Sequence, residues 1–144
     1  MKKNCNLRPL LLLLLPLMLL SCHREMVVNP IESTKLLNGT WKITKALRNG
    51  TDLTNRFDFS GFKIAFQDST YTLDSLVPFP VSENGAFHLD DPKYPFKLFL
   101  KAGTSEYKEL NMEYPISGGV RNIIISFSPG CSSNTYQYTL QKVN

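Results

Sequence analysis

From Leu36 onward, apolar residues recur at every second position in short runs separated by turn-forming residues, which is the pattern of antiparallel strands with one buried face. Trp41 and Ile43 alternate with Lys42 and Thr44, and the turn dipeptide Asn49-Gly50 follows. Phe62, Ile64 and Phe66 form a second run, and Tyr71 and Leu73 a third, on either side of Gln67-Asp68-Ser69. Phe87 and Leu89 follow Asn84-Gly85, and Asp91-Pro92-Lys93-Tyr94-Pro95 separates them from Phe96, Leu98 and Leu100. Leu110, Met112 and Tyr114 come next; Gly118-Gly119 leads to Ile123, Ile125 and Phe127; Ser128-Pro129-Gly130 leads to Tyr136, Tyr138 and Leu140. The pattern predicts eight strands. Helical periodicity is confined to two stretches of about one turn, Ser33 to Leu37 and Thr51 to Phe59, the second carrying Leu53, Phe57 and Phe59 to cap an open barrel end. Eight meandering strands must hide their edges, and closure removes them. The expected fold is therefore all-β, an eight-stranded up-and-down antiparallel barrel, with a β-sandwich as the alternative.

The residues expected to point inward are bulky: Trp41, Phe62, Phe66, Tyr71, Phe87, Phe96, Tyr114, Phe127, Tyr136 and Tyr138. An eight-stranded barrel is just wide enough to be filled by side chains or to hold one small ligand. Close packing favours a filled barrel. Tyr71, Tyr136 and Tyr138 keep a pocket open as the alternative, because a buried phenol needs a hydrogen-bond partner. These side chains are thus candidates for either core or ligand pocket. Phe79, between Pro78 and Pro80, and Phe99 are expected to be exposed and suited to a protein interface.

The beginning of the chain has a different character. Lys2, Lys3 and Arg8 precede an apolar run, Leu10 to Leu20, interrupted only by Pro16. Fifteen uncharged residues separate Arg8 from Arg24, short of the ~20 apolar residues that span a bilayer. Leu19-Leu20-Ser21-Cys22 resembles the lipobox of bacterial lipoproteins. The resemblance implies cleavage after Ser21 and a thioether-linked diacylglycerol on Cys22. Residues 1–21 then read as a lipoprotein leader, 22–35 as lipidated cysteine and linker, and 36–144 as the folded domain. Met26, Val27, Val28 and Ile31 leave open that part of this linker packs as an extra edge.

Removing the leader changes the charge picture. The full chain carries 16 Lys and Arg against 12 Asp and Glu, but three of the basic residues lie in the leader, which leaves a net charge near +1. No basic stripe interleaved with aromatics remains, so nucleic acid is not an expected partner. Cys5 leaves with the leader and Cys22 carries lipid, so Cys131 stands alone, expected as a half-buried residue in a turn.

Candidate chemistry is sparse. His88 and Asp90 share one side of a strand, but zinc wants three or four ligands. Asp90-Asp91-Pro92 fits turn chemistry better, since Asp side chains bond nearby backbone and Pro fixes φ. A serine nucleophile needs an oriented base, and neither a Gly-x-Ser-x-Gly elbow nor a phosphate-cradling loop is present. The expectation is a non-enzymatic protein without cofactor or metal.

Leu37-Asn38-Gly39-Thr40-Trp41 is similar to the Gly-x-Trp opening of lipocalins. With Arg48-Asn49-Gly50-Thr51-Asp52, Leu89-Asp90-Asp91-Pro92, Tyr94-Pro95 and Phe127-Ser128-Pro129-Gly130-Cys131-Ser132-Ser133-Asn134-Thr135-Tyr136, the stretch from Gly39 to Val143 resembles the lipocalin-like domains of small Bacteroidetes lipoproteins of unknown function. The resemblance implies a calycin-type barrel in the cell envelope, with the outer membrane as the expected location. It also implies a basic residue over the Trp, for which Lys142 or Arg121 is available. The resemblance implies no ligand; the role expected from the residues themselves is a lipid-anchored, non-enzymatic binding module for a small apolar or glycan-derived ligand. The alternative is an accessory lipoprotein that contacts another envelope protein.

Overall fold

A computed structural model of the chain describes residues 34–75 and 77–143. The leader, Cys22 and the linker up to Ser33 lie outside the described residues. Ten strands follow one another: β1 (Gly39–Arg48), β2 (Thr51–Asp52), β3 (Lys63–Gln67), β4 (Thr70–Asp74), β5 (Gly85–Leu89), β6 (Lys97–Ala102), β7 (Lys108–Glu113), β8 (Ile116–Ser117), β9 (Val120–Phe127) and β10 (Tyr136–Lys142). Eight of them pair in the order β1-β3-β4-β5-β6-β7-β9-β10, and β10 pairs back onto β1, so the antiparallel ring is closed. The two-residue strands β2 and β8, which alternation does not register, extend the ring as short hairpins on β1 and β9. No helix occurs among the described residues.

Local chemistry accounts for these elements. Alternation puts Ile64 and Phe66, Leu98 and Leu100, Leu110 and Met112, and Tyr136, Tyr138 and Leu140 on the inner face. In β1 the register against β10 slips between Ile43 and Lys45, a bulge that moves the inward phase from Trp41 and Ile43 to Ala46. Asn49-Gly50 and Gly118-Gly119 close two-residue hairpins with positive φ at both positions, which small or Asn residues tolerate. The weakest seam is β4–β5, joined only through Thr70↔Ala86 and Tyr71↔Gly85. There the Asn84 side chain takes the place of a backbone carbonyl and accepts from Leu73 N–H at 2.8 Å.

In a meander the connections alternate between the two ends of the barrel. One end, here the strap end, carries the incoming segment 34–38, the β3–β4 turn, residues 90–96, residues 114–119 and the end of β10. The other, the loop end, carries residues 49–62, 75–84, 103–107 and 128–135. The incoming segment forms no helical turn. It is a strap in which Lys35 N–H donates to Pro92 O at 2.6 Å and buried Leu37 offers its carbonyl to Trp41 Nε1 at 2.7 Å. Thr51 to Phe59 begins with β2 and then makes one closed turn, in which Arg56 N–H and Phe57 N–H both bond to Leu53 O.

Expectations for three aromatic residues are overturned. Phe96 is 70% exposed rather than inward. Asp90 Oδ1 accepts from both Phe96 N–H and Lys97 N–H at 3.0 Å, so the turn extends to Phe96 and inward alternation starts at Leu98. Phe79 is half-buried rather than exposed, because the loop that carries it folds back over the barrel. Phe99 is likewise only partly exposed, since His88 stacks on its ring at 4.6 Å.

Candidate functional site

Side chains from all eight ring strands fill the barrel in one continuous core, from Leu37 and Trp41 through Ile64, Leu100, Leu110 and Ile125 to Phe62 and Tyr138. A concavity lined mainly by aromatic and other apolar side chains lies at the loop end. It is a recess of about 230 Å³ lined by Arg48, Leu53, Phe57, Phe59, Pro78, Tyr136 and Tyr138. Three pieces of chain build it: the β1–β3 connection, the β4–β5 connection and the start of β10.

Its floor is an aromatic cluster. The Tyr138 ring lies 5.9 Å from Phe59, 6.4 Å from Phe62, 5.3 Å from Phe127 and 6.0 Å from Tyr136, in edge-to-face arrangements that suit ring quadrupoles. Phe79 extends the cluster beyond the recess, 5.1 Å from Phe62 and 5.8 Å from Phe127. Tyr138 donates its hydroxyl to Pro78 O at 2.9 Å and thereby pins the loop across the mouth. Burial pushes its ionisation well above the ordinary tyrosine range, reinforced by neighbouring Tyr136.

Arg48 is the only charged residue lining the recess. Its Nε donates to Asn134 Oδ1 at 2.7 Å, and its guanidinium sits 5.7 Å above the Tyr136 ring. This combination holds a cation at the rim of an apolar, ring-lined hollow. Chemically, it suits a flat or apolar body bearing an acceptor or an anionic group. The 128–135 connection that supplies Asn134 also carries Cys131, which is exposed rather than half-buried. Cys131 Sγ lies 3.0 Å from Ser133 Oγ, and the hydrogen bond from that hydroxyl lowers the thiol's pKa.

With Phe96 outside, the other nine candidate residues divide into three groups. Phe62, Phe127, Tyr136 and Tyr138 meet in the recess cluster. Phe66, Tyr71 and Phe87 form part of the wall: Phe66 pairs with Tyr71 across β3–β4 and packs on Phe87 at 4.7 Å. Trp41 and half-buried Tyr114 lie at the strap end, 6.4 Å apart. There Arg121 is 4.9 Å above the ring of Tyr114, not of Trp41, and donates to Tyr114 O at 2.8 Å. Lys142 pairs with Trp41 in the β1–β10 ladder, and its side chain covers Gly39. Burial raises the Tyr114 pKa and Arg121 opposes the shift.

Tyr71 stands apart. Its hydroxyl is buried with no hydrogen-bond partner among the described residues. Desolvation, with a contribution from Glu83, raises its pKa to about 12.

His88 and Asp90 do not form a site. His88 is exposed, stacked on Phe99 and edge-on to Tyr107 at 4.7 Å. Asp90 is occupied by backbone: burial disfavours its charge, but N–H groups of Lys97, Asp91 and Phe96 hold its carboxyl below the usual range. Asp91 likewise accepts from Lys93 N–H and Tyr94 N–H, as turn chemistry requires. Arg48 and Pro78 escaped the sequence reading, whereas Leu53, Phe57 and Phe59 were expected to cap a barrel end and line the recess there. The signal available for Arg48 was its place immediately before the Asn49-Gly50 turn, which pairs it with Tyr136 at the end of the β1–β10 ladder.

No curated protein and no solved structure matches this chain. A family model does, over residues 19–141, and by that match the chain belongs to the family described as Domain of unknown function (DUF5004).

Proposed function

We propose that this protein is a lipid-anchored, lipocalin-like binding module of the bacterial cell envelope, which takes a small apolar or glycan-derived molecule in the loop-end recess. The observation that carries the reading is the meeting of Arg48 with Phe57, Phe59, Tyr136 and Tyr138 in one hollow. Aromatic faces supply contact area to sugar or hydrocarbon rings, and the guanidinium supplies orientation. At about 230 Å³ the hollow is smaller than most drug-sized sites. It therefore fits one ring or a short chain, not a bulky lipid. Chemistry is not assigned to it: the recess holds no nucleophile beside a base among its lining residues.

The lipobox-like Leu19-Leu20-Ser21-Cys22 supports the anchored part of the reading. Two or more acyl chains on Cys22 give durable attachment, at ~0.8 kcal/mol per buried CH₂. Metabolic fatty-acid labelling is expected in the wild type and lost in Cys22→Ala; persistence of label in that variant overturns the anchor.

The ligand reading is tested on the chain from Glu32 to Asn144, which forms one compact unit with a closed sheet and its own core. Screening short saccharides, uronic acids and medium-chain fatty acids by thermal shift and NMR is expected to give a binder whose affinity drops in Arg48→Gln and in Phe57→Ala. No shift with any class, together with a ligand-free mass spectrum of the native protein, overturns it. A second reading, an accessory lipoprotein that contacts another envelope protein, is supported by the filled barrel interior. It gains if the ligand-free protein captures one envelope protein through the same recess.

A further inference from the structure

We infer that the strap end of the barrel is a lipid-contacting surface, so that the domain rests on a bilayer by that end and turns its recess away from the membrane. Large apolar side chains that remain exposed are not scattered. Leu36, Tyr94, Phe96, Ile116, Val120 and Val143 are 41–70% exposed, and all lie on strap-end segments. Among the described residues, the loop end holds only Phe57 and Tyr107 of this class. Exposed hydrophobes that cluster on one face need a partner, whereas scattered ones do not.

The display is built into the backbone. Tyr94 and Phe96 project from a connection fixed by Asp90 and Asp91, whose side chains accept N–H bonds from Lys93, Tyr94, Phe96 and Lys97. Those bonds take Phe96 out of the inward phase it shares in sequence with Leu98 and Leu100. Ile116 and Val120 flank the Gly118-Gly119 hairpin of β8 and β9. Folding gains nothing from leaving these side chains in water.

Chain direction identifies the occupant as a lipid surface. The described chain enters at this same end, where Lys35 N–H bonds Pro92 O. The sequence just before it holds Cys22 and, further back, the apolar run Leu10 to Leu20. Whether the membrane attachment is an acylated cysteine or the uncleaved run, it is joined to this end by a short stretch of chain. A tether of that length keeps the end at millimolar effective concentration near lipid, so a weak contact is enough. Tyr and Phe favour the headgroup boundary, and Lys93 and Lys142 on the same segments have stems long enough to lie along apolar surface with the ammonium at phosphate depth.

The test uses Glu32–Asn144, which lacks both attachments, so failure here leaves the acylation result intact and failure of acylation leaves this result intact. Vesicles of phosphatidylcholine with phosphatidylglycerol are expected to co-sediment it weakly. Phe96→Ser combined with Ile116→Ser should lower the partition about tenfold or more, while Phe57→Ser at the opposite end leaves it unchanged. A polarity-sensitive label on the thiol of Phe96→Cys in a Cys131→Ser background should shift to the blue on vesicles, and the same label on native Cys131 should not. Three results overturn the inference: no sedimentation of the wild type, equal loss in Phe57→Ser, or a dimer in sedimentation velocity that the Phe96/Ile116 variant abolishes, which would assign the surface to a second copy of the chain.

Discussion

The two ends of the barrel are closed by different means. At the strap end one extended segment does it: Leu37 is buried and its carbonyl receives Trp41 Nε1–H, with Tyr114 and Arg121 stacked alongside. At the loop end two connections bring Phe59, Phe62 and Phe79 together beside Tyr138, whose hydroxyl donates to Pro78 O. A directional hydrogen bond seals a small opening with little apolar mass and leaves bulky residues outside. A ring cluster seals by area, and where rings of different connections meet it leaves a hollow. The same barrel therefore offers a projecting apolar surface at one end and a recess at the other.

The strap end should be the more sensitive to a single truncation. Trp41 is 2% exposed, and replacing it with alanine should cost about 3–5 kcal/mol, lost transfer energy plus the cavity left behind. Urea denaturation of Trp41→Ala should show this as a lower midpoint with an unchanged slope. Trp41→Phe should recover most of the loss but not the bond to Leu37 O. Because Trp41 is the chain's single tryptophan, its fluorescence in the wild type follows the strap end specifically. Coincidence of that signal with circular dichroism tests whether the two ends unfold together.

At the loop end, Phe59→Ala should cost less, about 2–3 kcal/mol, since Phe59 sits at the mouth where neighbours relax into the space. An effect as large as that of Trp41→Ala would mean that the cluster, not the strap, is the keystone of the barrel. The same variant widens the recess and should weaken any ligand found for Arg48.

Most of the scaffold was legible in the sequence. Period-2 runs bounded by Asn49-Gly50, Gly118-Gly119 and Ser128-Pro129-Gly130 located all eight ring strands, because alternation and turn chemistry are local signals. The recess was legible only in part. Phe62, Phe127, Tyr136 and Tyr138 announced themselves by strand phase. Pro78 comes from a connection, where no period constrains which way a side chain points. Phe79 looked like a loop residue between prolines, and only the Tyr138–Pro78 hydrogen bond shows why the loop folds inward. Phe96 failed for the converse reason: its phase was right, but Asp90, six residues earlier, claimed its N–H for a turn.

Two buried tyrosines sharpen the contrast at smaller scale. Tyr138→Phe strands the Pro78 carbonyl and should destabilise by about 1 kcal/mol. Tyr71→Phe removes a buried hydroxyl that has no partner among the described residues and should stabilise by about 1 kcal/mol. Calorimetry on both variants checks the opposite signs, with melting temperatures moving by roughly 4–8 °C per kcal/mol in a domain of this size. A destabilised Tyr71→Phe would mean that this hydroxyl does bond in solution, to an ordered water or to a bound molecule.

The smallest expected effect is on alkaline stability, and it follows from the same hydroxyls. Burial raises the Tyr71 pKa from its ordinary 10.0 to about 12 and moves Tyr138 in the same direction. Burial moves Tyr114 that way too, against the opposition of Arg121. In each case the folded barrel holds the neutral phenol while the unfolded chain is free to ionise. For Tyr71 the contribution is therefore complete below pH 10 and is lost as pH climbs toward 12, the unfolded state binding fewer protons throughout that window. Urea midpoints measured between about pH 8 and about pH 11 should fall steadily above 10 in the wild type and less steeply in Tyr71→Phe. Local opening of the loop end breaks the tie to Pro78 and frees Tyr138 to ionise, so alkali favours that opening and the loop end should loosen first while Trp41 fluorescence at the strap end holds until the barrel opens as a whole. An identical slope in wild type and Tyr71→Phe would place that phenol in contact with solvent, and simultaneous loss of both signals would mean that the closed ring couples its two ends too tightly for either to yield alone.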